Sequence, residues 1–283
     1  MNATARGALR VRGKDFRWGA RTYVMGIVNV TPDSFSGDGS VDVRESAARA
    51  RLQCVHSSDL LDIGAESTRP GNVPIDESAE TARLLPVIRA VRAEFPDVPI
   101  SADTYKPSVF RAAHAAGADI LNSVWGLPDE LLEAALECGS PVIVMHNKSQ
   151  ASYAGDVVDE VVAYLGEAAQ RGVRAGIAPE RIVLDPGIGF GKTAEQNLAV
   201  LRSLRRVVGL GFPTLLGTSR KSTIGKLTGR EPADRVFGTA ATGALAVASG
   251  IDIVRVHDVD SMRDVVSVSD AIERGWRPAG WIE

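Results

Sequence analysis

Residues 182–193 read Ile182-Val183-Leu184-Asp185-Pro186-Gly187-Ile188-Gly189-Phe190-Gly191-Lys192-Thr193, and an amphipathic stretch over 194–208 follows them. A short branched apolar run ends in a carboxylate, a glycine-rich loop intervenes, and a helical period takes over: one βα unit. The loop misses the Walker pattern because Pro186 stands where the first glycine is needed, and it is not GxGxxG either. The glycines instead let backbone approach a flat ligand with Phe190 packed beside it. A loop aromatic that merely plugs the top of the fold is the plainer alternative.

The same unit recurs along the chain. Strands are expected at 23–28, 60–63, 99–102, 120–121, 142–145, 182–184, 214–216 and 253–256, and helices at 42–57, 76–94, 107–116, 129–138, 157–176, 194–208, 234–249 and 261–274. Continuously apolar strands are those buried on both faces of a parallel sheet, and eight such units in about 260 residues fit a closed (β/α)8 TIM barrel better than an open sheet. No linker or composition shift divides the chain, so 1–283 reads as a single barrel domain. Residues 1–22 form an extension whose stretch 9–18 makes a β-hairpin closing the barrel bottom.

With 45% apolar and 24% charged residues the chain can bury a sizeable core. A net charge of −3 without a basic stripe argues against a nucleic-acid partner. No apolar run approaches the roughly 20 residues that span a bilayer, and the first residues lack an apolar signal core, so a soluble, cytoplasmic protein is expected. Cys54 and Cys138 read as buried structural thiols. The four histidines show no metal-ligand spacing, so no tightly bound zinc is expected.

Chemistry in such barrels sits at the C-terminal strand ends. Those ends carry Asn29 with Thr31, Pro32 and Asp33; Asp62 with Glu66, Ser67, Thr68 and Arg69; Asp103; Asn122; His146 and Asn147; Asp185; Ser219, Arg220 and Lys221; and Arg255, His257 and Asp258. Asp103, Asn122, Asp185 and Lys221 supply acceptors and donors that suit the edge of a heterocycle such as a pterin. Arg255 and His257 point to one side of a strand and suit a phosphate or pyrophosphate. Lys192 reads as a solvated loop lysine rather than a phosphate ligand. Asp258 reads as a helix cap, with orientation of His257 as the alternative. Met145 and His146 either line the cavity or belong to the core.

Six segments, MGIVNVTPDSFS from Met25, DIGAESTRPG from Asp62, SADTYKP from Ser101, LDPGIGFGKT from Leu184, GTSRKS from Gly217 and VRVHDV from Val254, closely resemble the dihydropteroate synthase family, in its order and over most of the chain. The resemblance implies a homodimeric barrel joining 6-hydroxymethyl-7,8-dihydropterin pyrophosphate to p-aminobenzoate. It implies that Asp103, Asn122, Asp185 and Lys221 hold the pterin and that Asn29 ligates Mg2+ on the pyrophosphate. Thr68, Arg255 and His257 would bind that anion, and Phe35, Arg69, Pro70, Phe190, Lys221 and Ser222 would build the p-aminobenzoate pocket. Lys221, Arg255, His257 and Asp103 are the catalytic candidates.

Asn122-Ser123 stands where the family usually has Asn-Asp, Gln196-Asn197 where it has His-Asn, and Thr223 where a larger apolar residue is frequent. Some departures fall in loops shaping the p-aminobenzoate pocket, where sulfonamides compete, which leaves room for a sulfonamide-insensitive variant. A pterin-dependent methyltransferase barrel and a non-catalytic pterin-binding paralogue are the rival readings.

Overall fold

The computed structural model describes residues 6–31, 42–67 and 73–281. Strands β1 (Ala8–Val11) and β2 (Lys14–Arg17) pair antiparallel around Arg12-Gly13, both with positive φ, as a two-residue hairpin turn requires. Strands β3 (Tyr23–Asn29), β4 (Leu60–Gly64), β5 (Ile100–Asp103), β6 (Ile120–Ser123), β7 (Val142–Met145), β8 (Ile182–Asp185), β9 (Leu215–Leu216) and β10 (Ile253–Val256) form one parallel sheet in the order β8-β7-β6-β5-β4-β3-β10-β9. A bridge between Leu184 and Thr214 joins its two ends, so the sheet closes into the expected barrel. Helices α1 (Val43–Val55), α2 (Glu77–Glu94), α3 (Pro107–Ala116), α4 (Asp129–Glu137), α5 (Val157–Arg174), α6 (Ala194–Arg202), α7 (Leu204–Val208), α8 (Ser222–Thr228), α9 (Val236–Ser249) and α10 (Val259–Glu273) surround it. Among the described residues no helix is long and apolar enough to cross a membrane.

Side chains alternate along a strand, so every second residue enters the barrel. The lower inward layer is apolar: Met25, Leu60, Ile120, Ile143, Val183, Leu215 and Ile253 form one cluster with Leu9, Val11, Phe16 and Trp18 of the hairpin. The hairpin therefore stoppers the bottom, and Trp18 Nε1 donates to the Glu180 carbonyl at 3.0 Å to pin it. Two residues further up the same strands stand Asp62, Asn122, Met145, Asp185, Gly217 and Arg255. One step of the pleat turns the barrel interior from plug to site.

Several boundaries differ from expectation. The helix expected over 194–208 breaks at Ser203, whose ψ of 16° ends α6, and Leu204 and Val207 then turn to the core. The short α8 is not anticipated from the sequence, because its seven residues carry too little periodicity. Cys54 and Cys138 are free and only half-buried, a correction to their reading as buried; burial still pushes the Cys54 thiol up to about 11, which makes it inert.

Ser57 and Ser58 follow α1 where the sequence offers no reason for serine. Ser57 takes φ of 66°, and Ser58 N–H donates to the Gln53 carbonyl at 3.0 Å, closing the helix in a Schellman turn. Glycine meets that φ without strain, so Ser57→Gly is expected to stabilise the protein by about 0.5–1 kcal/mol in denaturant titrations. A loss of stability would mean that the turn does not bear this strain.

Candidate active site

The strand ends open into a cavity of about 1040 Å³, including space open to solvent, at the top of the barrel. Asn29, Asp103, Asn122, Met145, Asp185, Phe190, Lys221, Ser222, Arg255 and His257 all line it. Phe35, Thr68, Arg69 and Pro70 lie outside the described residues. Ile27, Thr31, Glu66, Val124 and Ser219 line it too; of these Thr31, Glu66 and Ser219 stand out in the sequence, as strand-end polar residues.

Arg255 is the hub. Its Nε donates to Asp62 Oδ2 at 2.5 Å and its Nη2 to Asp103 Oδ2 at 3.0 Å, so one guanidinium ties β4 and β5 to β10. Burial opposes the charge, yet the two carboxylates hold the guanidinium above its ordinary pKa. Burial and the Asp62 charge push the Asp103 carboxyl up to about 7, against the pull of Arg255. Asn122 Nδ2 donates to the same Asp62 Oδ2 at 3.0 Å. Asp62 is wholly buried; the sequence places it among the strand-end polar residues but gives it no part in binding or catalysis.

Opposite stand Asp185 and Lys221. Asp185 Oδ1 accepts from Gly187 N–H at 2.7 Å, and burial raises its pKa although Lys221 opposes this. Lys221 donates to the Ile188 carbonyl and lies 4.1 Å above the Phe190 ring centroid. Burial pushes its ammonium down to about 7 despite Asp185. The glycine loop is built to allow this approach: Gly189 has φ of 83°, and a Cβ there would meet Lys221 Cδ at 2.9 Å. Asn197 Oδ1 accepts from Gly189 N–H at 2.8 Å, so the residue of the Gln196-Asn197 pair that matches the family pattern supports the loop.

Lys192 is no solvated lysine. Its Nζ donates to the carbonyls of Gly187 at 3.0 Å and Phe190 at 3.1 Å and lies 2.9 Å from His146 Nδ1. Burial pushes it down to about 8. It holds the loop from behind and is not among the described residues that line the cavity. His146 packs against Tyr153 and Tyr164, and burial pushes its imidazole down to about 4. Met145 lines the cavity and His146 does not.

Asp258 neither caps α10 with its side chain nor touches His257; it pairs with Arg220, at 3.0 Å from Nε and 2.5 Å from Nη2. Ser219 takes the orienting role instead, its Oγ lying 2.9 Å from His257 Nδ1 and accepting from His257 N–H at 3.1 Å. Ser123 is buried and, among the described residues, its Oγ has no hydrogen-bond partner and none of them replaces the family's usual carboxylate there.

A parallel barrel with carboxylates, an amide and a lysine around one slot, and an arginine–histidine pair on one rim, defines a pterin-binding enzyme. Residues 25–257 match the family described as pterin binding enzyme. A dihydropteroate synthase from Synechocystis sp. is 43% identical over 93% of each chain. The solved dihydropteroate synthase of Xanthomonas albilineans with 4-aminobenzoic acid superposes with a TM-score of 0.88 at 40% identity, over 97% of this chain and 100% of that one. That of Thermus thermophilus in complex with 6HMPPP gives 0.82 at 41% identity, over 94% and 100%. The chain belongs to the dihydropteroate synthase family and is a transferase.

Proposed function

We propose that the barrel mouth condenses 6-hydroxymethyl-7,8-dihydropterin pyrophosphate with p-aminobenzoate, releasing 7,8-dihydropteroate and pyrophosphate. The observation that carries the reading is the convergence of Asp103, Asn122, Asp185 and Lys221 on one slot beside Arg255 and His257. Asp185 accepts from the pterin's amine and ring N–H, Lys221 donates to its carbonyl, and Met145 and Phe190 pack on its faces.

Arg255 and His257 face the leaving pyrophosphate, with Thr68 in support. As the C–O bond breaks, negative charge grows on that anion, and fixed cations stabilise it without reorganising. His257 is aimed by Ser219, and Arg255 keeps Nη1, which bonds to neither carboxylate, for the rim. Mg2+ suits this mouth because it takes oxygen ligands and draws most of them from substrate phosphates and water, needing few from the protein. Asn29 supplies such an oxygen, and the ion would neutralise pyrophosphate charge. The aryl amine of p-aminobenzoate is neutral at pH 7 and needs no strong base to attack the pterin methylene. Phe35, Arg69, Pro70 and Ser222 shape its pocket together with Phe190.

The homodimer rests on α9 and α10, which pack together and leave Phe237, Leu245, Val268 and Ile272 each more than 60% exposed. Side chains of that size on adjacent helices suit a second copy of the chain.

Purified protein with Mg2+ and pterin pyrophosphate is expected to release pyrophosphate only when p-aminobenzoate is added. Folded protein that binds the pterin and releases none would overturn the reading in favour of a non-catalytic paralogue. A parallel arm with a sulfonamide reads whether the pocket admits the drug.

A further inference from the structure

We infer that Asp62 is a positioning residue: it locks Asn122 in one of its two amide orientations and thereby fixes which edge of the heterocycle the slot accepts. The inference rests on the pterin reading above and deepens it.

An asparagine amide fills nearly the same space in either flip state but shows a ligand opposite orders of donor and acceptor. Asn122 lines the cavity, and its Nδ2 donates to Asp62 Oδ2 at 3.0 Å. That oxygen also accepts from Arg255 Nε at 2.5 Å. A carboxylate paired with a guanidinium can only accept, so flipping Asn122 would lose a charge-assisted bond and set two acceptor oxygens face to face. Asp62 does not line the cavity and is wholly buried, so it reaches the ligand through the two cavity side chains it holds, Asn122 and Arg255, and of these only Asn122 has a flip for it to set.

The lock holds because Asp62 itself cannot turn. It sits inside β4, in register with Ser101 of β5 and Ile27 of β3, and Arg255 grips it with a second nitrogen, Nη2, at 2.5 Å. What Asn122 has left is Oδ1 and the second hydrogen of Nδ2, in a fixed order. That pair complements an edge carrying a ring N–H beside an unprotonated ring nitrogen, and it rejects the edge with the reverse order.

The test is a double-substitution cycle on the whole protein with Asp62→Asn, Asn122→Ala and both together. Asp62→Asn keeps the volume but lets the side chain at position 62 donate or accept, which releases the flip. It is expected to raise the KM for pterin pyrophosphate by about 10- to 100-fold and to leave the KM for p-aminobenzoate within about 3-fold. In the Asn122→Ala background the same substitution should keep only the part of its effect that runs through Arg255, so its effect on that KM should be at least about 5-fold smaller. An equal effect in both backgrounds, or none in either, would overturn the inference.

If Asp62→Asn does not fold, Asn122→Asp serves. It sets two carboxylates side by side, so the introduced carboxyl must take a proton before it can donate to Asp62, in a slot also faced by Asp103, Asp185, Lys221 and Arg255. Its KM for pterin pyrophosphate, divided by that of the unsubstituted protein at the same pH, should fall as pH drops from 8 to 6. A ratio flat across that range would overturn the inference. Unsubstituted protein that binds pterin pyrophosphate without turning it over would sink the synthase reading alone, and the cycle could still be read from binding constants.

Discussion

Arg255→Met is expected to cost about 3–5 kcal/mol of folding stability and to lower kcat/KM by at least about 100-fold. The two losses share one cause. Asp62 is wholly buried and Asp103 nearly so, and the Arg255 guanidinium pairs with both, at 2.5 and 3.0 Å. Methionine fills the space but leaves two carboxylates facing each other with no cation between them.

The pH dependence gives the sign. Burial and Asp62 already raise Asp103 to about 7, and without the opposing pull of Arg255 that carboxyl rises further. A carboxyl whose folded pKa lies above its unfolded value binds its proton more tightly when folded, so stability is lost as pH rises from the unfolded pKa to the folded one. The deficit of the variant should therefore be smallest near pH 5 and grow as pH rises through about 7 in chemical denaturation. Arg255→Lys keeps the charge without the fork and should fall between. A deficit independent of pH would mean that the carboxylates are stabilised by something other than this guanidinium.

Much of this site is legible in the sequence because two simple rules compound. A parallel strand buried on both faces reads as an apolar run, and a polar residue that ends it in a closed barrel has only the mouth to face. Asp103, Asn122, Asp185 and Arg255 meet both conditions, and all four line the cavity. Asp62 meets them as well, but its position one layer below the mouth depends on the stagger between β4 and its neighbours, which local sequence does not carry.

Asp258 misleads for a related reason. Aspartate before a helix is a preferred cap, but Arg220, 38 residues away in the chain, competes for the carboxylate and wins with two charge-assisted bonds. Helix α8 is hidden by length: among its seven residues only Thr223 and Ile224 are buried, too few to set a period.

Lys192→Met should show how far that lysine is from a solvated one. A solvated loop lysine can be replaced within about 0.5 kcal/mol, whereas removal of this one should cost about 2–3 kcal/mol, because the Gly187 and Phe190 carbonyls lose a charge-assisted donor that the methionine cannot replace. The loop those carbonyls belong to also presents Gly189 and Phe190 to the cavity and receives the Lys221 ammonium on Ile188. Slackening it should raise the KM for both substrates and lower kcat, because a displacement of about 1 Å at a positioning element can cost about 100-fold. Burial pushes Lys192 down to about 8, below its unfolded value near 10.5. A lysine so depressed costs stability as pH falls from the unfolded pKa to the folded one, so the stability gap between the unsubstituted protein and the variant should widen as pH is raised from 8 to 10. A variant that matches the parent in stability and turnover would return Lys192 to the surface and leave the glycine loop to be held by Asp185 and Asn197 alone.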